Sequence, residues 1–86
     1  MIYRVILIES DEGLAVCCPA LPGCWSQGDT EAEALEMITD AITELLDLGR
    51  TPAKDGGAEA EAEVMREAVE DRSKVTVREV RLKVAV

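Results

Sequence analysis

Residues 2–9, IYRVILIE, are rich in β-branched and aliphatic side chains and end at Ser10-Asp11-Glu12-Gly13, a cluster of turn formers. This predicts a strand running into a hairpin turn. Residues 14–18, LAVCC, make a second short apolar run closed by Pro19, which has no N–H for a sheet ladder. The two strands are expected to pair antiparallel. From Thr30 to Leu48 the period changes from two to 3.6, with Ala34, Leu35, Ile38, Ala41, Ile42 and Leu45 at i, i+3 and i+4 spacings. Thr30-x-x-Glu33 has the form of a capping box, in which the hydroxyl accepts from the third helical N–H and the carboxylate reaches back to the cap. Gly49 and Pro52 supply the stop. The helix is a rod of roughly 28 Å, enough to cover one face of a small sheet.

Beyond it, residues 53–57, AKDGG, read as a flexible connection and Ala58 to Arg72 as a second helix. Only Val64, Met65, Ala68 and Val69 are candidates for its buried side, so its first two turns are expected to fray. Residues 74–86, KVTVREVRLKVAV, alternate as a strand with a change of phase: Val75 and Val77 share one parity, and Val80, Leu82, Val84 and Val86 the other. A bulge or bend near Arg78-Glu79 would reconcile them.

The stretch CCPALPGCWSQGDT, residues 17–30, gathers all three cysteines and the tryptophan. Zinc sites want pairs such as Cys-x2-Cys and four converging ligands, whereas here the spacing is Cys-Cys-x5-Cys and the chain has no His. Neighbouring strand residues also point to opposite faces. No metal site, cofactor or redox centre is expected, and the thiols read as small core fillers. In Leu21-Pro22-Gly23, Pro presets φ for the first central position of a turn and Gly supplies φ > 0 at the second. A type II-like turn, a short third strand at 23–26 and the loop Gly28-Asp29-Thr30 then deliver the chain to the helix.

Composition narrows the function. Eighty-six residues read as one domain, 1–86, and with no Phe its core must be built from Val, Leu, Ile and Ala. No run approaches the roughly 20 apolar residues that span a bilayer, and the start has no signal-peptide pattern, so a cytoplasmic protein without membrane attachment is expected. Net charge is −9, concentrated in an acidic middle that a short basic segment follows. That balance disfavours nucleic acid, which needs Lys and Arg on its phosphates, and suits a basic protein surface. Solubility alone would explain it equally.

On the long helix, Glu33, Glu36, Asp40, Glu44 and Asp47 fall within a stripe of about 80°, opposite the apolar face. Such a stripe is either a solvated surface or a contact face for a basic partner, where charge raises the association rate more than the affinity. Carboxylates on an exposed helix face with no His and no evident pocket offer no catalytic residue. Trp25 is either a core plug or an interface anchor.

Strand, acidic turn, strand, Pro19-x-Leu21-Pro22-Gly23-Cys24, then Gly28-Asp29-Thr30-x-x-Glu33-Ala34 and an amphipathic helix resemble the N-terminal domain of HicB-type antitoxins and their short relatives. The resemblance covers residues 1 to about 52. It implies an α+β, partly RNase-H-like fold in β-β-β-α-α-β order, two layers with one long helix on an antiparallel sheet of three or four strands. It also implies a non-enzymatic role, binding and silencing a small basic mRNA-cleaving RNase toxin; on that role the acidic stripe and the single tryptophan make Trp25, Glu33, Glu36, Asp40 and Glu44 the candidate partner-binding residues. Complete members of that family append a DNA-reading module. One helix and one strand after Gly49 make none, so no direct specific DNA binding is expected. The apolar parity of Val80, Leu82, Val84 and Val86 points to a homodimer or higher oligomer built on the last strand. The alternative reading is an orphan, oligomeric structural or small-ligand-binding domain with no toxin, and an enzyme descended from the RNase-H-like fold stands third.

Overall fold

A computed structural model of the chain describes residues 1–82. In chain order its elements are β1 (Ile2–Ser10), β2 (Gly13–Cys17), β3 (Trp25–Gly28), α1 (Glu31–Asp47), α2 (Ala58–Glu70) and β4 (Lys74–Arg81). The strands form one antiparallel sheet in the order β3-β2-β1-β4. The α+β class and the β-β-β-α-α-β order therefore stand as expected. Asp11 and Glu12 close the first hairpin, Ser10 facing Gly13. The Leu21-Pro22-Gly23 turn is present, with the Cys24 N–H donating to the Leu21 carbonyl at 3.0 Å and Gly23 at φ 82°.

Successive strand residues face opposite ways, and that alternation organises the core. Tyr3, Val5 and Leu7 of β1, Val16 of β2 and Val80 of β4 are buried on one face with Ala34, Ile38 and Ile42 of α1. Ile38 and Ile42 have no exposed surface, so truncating either to Ala costs about 2–5 kcal/mol. On the other face Ile6 and Cys17 stand opposite each other in register and are also buried. Their cover is α2: Arg4, on that same face, pairs with Glu61 at 3.3 Å, and Ala68 is buried. The sheet thus has α1 on one side and α2 over part of the other.

This placement corrects the reading of β4. No bulge or bend interrupts it. Its register with β1 runs unbroken from Ile2 opposite Arg81 to Glu9 opposite Lys74. The change of apolar phase has another cause, because a strand with cover on both faces needs apolar residues of both parities. Val75 and Val77 turn toward the α2 side and Val80 toward α1. Val80 and Leu82 consequently belong to the chain's own core, both 7% exposed, and do not form an exposed apolar edge. Val84 and Val86 lie outside the described residues.

The connection to α2 is anchored rather than loose. The Ala53 N–H donates to the Ala20 carbonyl at 2.7 Å. The Asp55 carboxylate accepts from Gly57 N–H at 2.9 Å and Glu59 N–H at 3.1 Å, capping the helix. Those bonds hold the Asp55 carboxyl below its usual range. Gly57 is buried at φ 88°, where a Cβ would collide with the backbone of Pro19 and Ala20.

Candidate functional site

The outward face of α1 is built by the same periodicity that buries Ala34, Ile38 and Ile42. Glu36, Asp40 and Glu44 lie opposite those residues and are exposed. The ion pairs among the described residues are Arg4–Glu61 and Arg78–Glu31, so none of the three has a cationic partner there. Met37, 46% exposed, borders the stripe and adds an apolar contact to it. Glu33 has a structural duty as well: its N–H donates to Thr30 Oγ1 at 3.1 Å and its carboxylate accepts from the Asp29 N–H at 3.3 Å. The capping box reaches one residue further back than the cap itself, and it fixes the start of α1 against β3. A Cβ on Gly28 would lie 2.6 Å from the Ala34 nitrogen, so only glycine allows this approach.

At that end of the helix lies an open cleft of about 370 Å³. Glu12 of the first hairpin, Asp29 of the β3–α1 loop and Glu33 of α1 bring carboxylates to it, with Leu14 and Met37 as apolar wall. The periodic stripe pointed to Glu33. Glu12, Asp29 and Met37 escaped notice because three separate segments supply them. Their acidity and the position of Met37 beside the stripe were the available signals. The combined surface is a set of exposed carboxylates beside an apolar patch, suited to Lys or Arg side chains of a protein partner.

Trp25 is 51% exposed, so it is not a core plug. It stands opposite Cys17, hence on the α2 side of the sheet, and the sheet separates it from Glu36, Asp40 and Glu44. The structure brings the four α1 carboxylates onto one helix and leaves Trp25 apart from them.

The thiols are buried: Cys17 turns to the α2 side, while Cys18 and Cys24 belong to the α1-side core. Burial pushes the Cys17 thiol up to about 12, with Cys18 and Cys24 nearby adding to it, and pushes Cys24 up to about 11. Cys18 is raised as well, again chiefly by burial. Thiols so protonated are poor nucleophiles. Among the described residues no helix is long and apolar enough to cross a membrane.

The sequence model of one family, described as the HicB_like antitoxin of bacterial toxin-antitoxin system, matches residues 3–77. The chain belongs to the HicB-like antitoxin family. Individual relatives extend the comparison. The UPF0150 protein ssr1765 of Synechocystis sp. is 54% identical over 41 residues, 46% of this chain and 52% of that protein. The UPF0150 protein Ta0767 of Thermoplasma acidophilum is 49% identical over 43 residues, 49% of this chain and 62% of its own length. The chain thus spans between half and two thirds of these curated relatives. A chain of the solved HicA3 and HicB3 toxin-antitoxin complex shares the fold, with a TM-score of 0.58, 20% identity, and coverage of 90% of this chain and 94% of that one. The family match covers both faces of the sheet, since residues 3–77 include α2 and the first half of β4.

Proposed function

We propose that this chain acts as an antitoxin by binding, without catalysis, a small basic RNase toxin and covering its RNA-cleaving surface. The observation that carries this reading is the outer face of α1. In a family of antitoxins, one long helix presents Glu36, Asp40 and Glu44 with no cationic partner among the described residues, and continues into a cleft edged by Glu12, Asp29 and Glu33. The solved neighbour of the same fold comes from a complex of a toxin with its antitoxin, which supports a protein partner for this chain too. Occlusion suits such a surface, because carboxylates spaced along a helix mimic the charge that a basic RNA-binding protein recognises. Binding would be fast and salt-sensitive, since exposed charges steer encounter more than they hold the complex.

The test is co-expression with a small basic protein encoded beside this chain's gene. That protein alone should arrest growth, and this chain should restore it. Glu36→Gln, Asp40→Asn and Glu44→Gln together should slow association at low salt by about tenfold and flatten its salt dependence, with the fold intact. Full relief of arrest with unchanged association kinetics would remove the α1 face from the interface.

A further inference from the structure

We propose that β4 is a self-pairing edge: two copies of this chain join antiparallel along it, about a two-fold axis through Val80, so that two four-stranded sheets become one sheet of eight. The sheet order leaves β4 with one neighbour, β1. Which of its backbone groups are open follows from its end. Leu82 donates its N–H to the Met1 carbonyl at 2.8 Å and accepts from the Met1 amino group at 3.4 Å, so its backbone groups turn inward to β1. Backbone direction alternates along an antiparallel strand. Val80, Arg78 and Thr76 therefore also turn inward, and Arg81, Glu79, Val77 and Val75 direct N–H and C=O outward, with no partner strand among the described residues, the Val77 carbonyl accepting from Arg78 Nη1 at 3.2 Å.

Symmetry and charge then select the register. A two-fold axis that continues the sheet stands normal to it and keeps each face on its own side, so residues of equal parity must oppose each other. The axis must pass through a residue. Through Lys74, Arg78, Glu79 or Arg81 it sets that residue against its own copy, like charge on like charge. Through Thr76 it sets Lys74 against Arg78. Through Val75 or Val77 it opposes no charges at all. Among the described residues of β4, opposite charges meet only through Val80: Glu79 faces Arg81 of the second copy, and Arg81 faces its Glu79. Both are exposed, neither has an ion-pair partner among the described residues, and both are residues whose backbone groups point outward. Side chain and backbone thus ask for the same register, each Glu79–Arg81 match being also a doubly hydrogen-bonded pair. Arg78 meets Leu82 and Val80 meets Val80 on the α1 side. Exposed Met1 and Ile2, next to Leu82 and Arg81, extend the patch with apolar surface. The core residues Val80 and Leu82 keep their intrachain packing, so no exchange of strands is required.

This proposal is independent of any toxin and is tested on the 86-residue chain alone, by sedimentation velocity from nanomolar to high micromolar concentration. A concentration-dependent monomer–dimer equilibrium is expected. Glu79→Arg and Arg81→Glu should each weaken it by about tenfold or more, and the double swap should restore it, because the charges then oppose correctly again. Glu79→Pro removes an N–H that β1 does not use, so it should abolish the dimer at an unchanged circular dichroism spectrum. A monomer at every concentration overturns the proposal, and so does a dimer indifferent to both single reversals. If Glu79→Pro fails to fold, the charge-swap set alone still decides.

Discussion

Replacing Gly57 by alanine should detach α2 from the sheet while leaving the α1 side closed. At φ 88° an L-residue pays about 1 kcal/mol or slightly more relative to glycine, of which about half returns through the stiffer unfolded chain. Overlap is the larger effect. The new methyl would sit 2.6 Å from the Pro19 carbonyl oxygen and closer still to neighbouring backbone, which has no flexible end to move aside. The start of α2 has to shift instead. That shift strains the Asp55 cap and the Arg4–Glu61 pair and lifts cover from Ile6 and Cys17. Uncovering one large aliphatic side chain alone costs about 1.5–3 kcal/mol. The sum is about 3–5 kcal/mol, a large share of the stability of a domain this small.

Thiol chemistry reads the outcome by face. Cys17 lies under the α2 side, whereas Cys18 and Cys24 lie in the α1-side core. In Gly57→Ala, peptide mapping after a short exposure to a thiol reagent should show Cys17 modified first, together with a lower melting temperature. Gly56→Ala is the control, since Gly56 also has positive φ, at 70°, but open space for a methyl. It should lose about 1 kcal/mol or less and keep Cys17 protected. If Gly57→Ala melts like the parent, or if all three thiols open together, Gly57 does not hold α2 on the sheet.

Much of this architecture was legible because local chemistry and global packing agree. The Leu21-Pro22-Gly23 turn, the Thr30–Glu33 box and the exposed carboxylates of α1 are each specified within a few residues. The Gly49 stop is equally local, with Arg50 N–H donating to the Leu45 carbonyl. What escaped depends on partners far along the chain. Periodicity reports one buried face at a time, so β4, with an element on each side, read as a strand with a fault near Arg78-Glu79. The AKDGG segment read as slack because its fit against Pro19 and Ala20 crosses more than thirty residues. Trp25 read as either buried or exposed because the width of sheet that α2 covers is not written in β3. The cleft at Glu12, Asp29 and Glu33 is a tertiary object in the same sense, and only the α1 part of the candidate surface had a pattern to find.

Two further predictions concern stability. Arg72 has φ 58° at the position where α2 ends, and its N–H and that of Ser73 donate to Val69 and Ala68 in the same closing motif that Gly49 provides for α1. Arg72→Gly should therefore stabilise by about 0.5–1 kcal/mol and raise the melting temperature, and an equal or lower value would show that this strain is absent. The thiols set an alkaline limit. Below their ordinary value of 9.0, folded and unfolded chains both hold the protons, and the full stability is present. Above it the unfolded chain releases them while the native chain retains them up to about 11 at Cys24 and about 12 at Cys17, so the unfolded state binds fewer protons and stability falls as pH rises. The slope is about 1.4 kcal/mol per pH unit for each thiol. Urea midpoints at about pH 8 and about pH 10 should therefore separate more in the parent than in Cys17→Ala, because every other titrating group is common to both. Equal separations would mean that Cys17 ionises as freely in the native chain as in the unfolded one, and that α2 does not seal its side of the sheet.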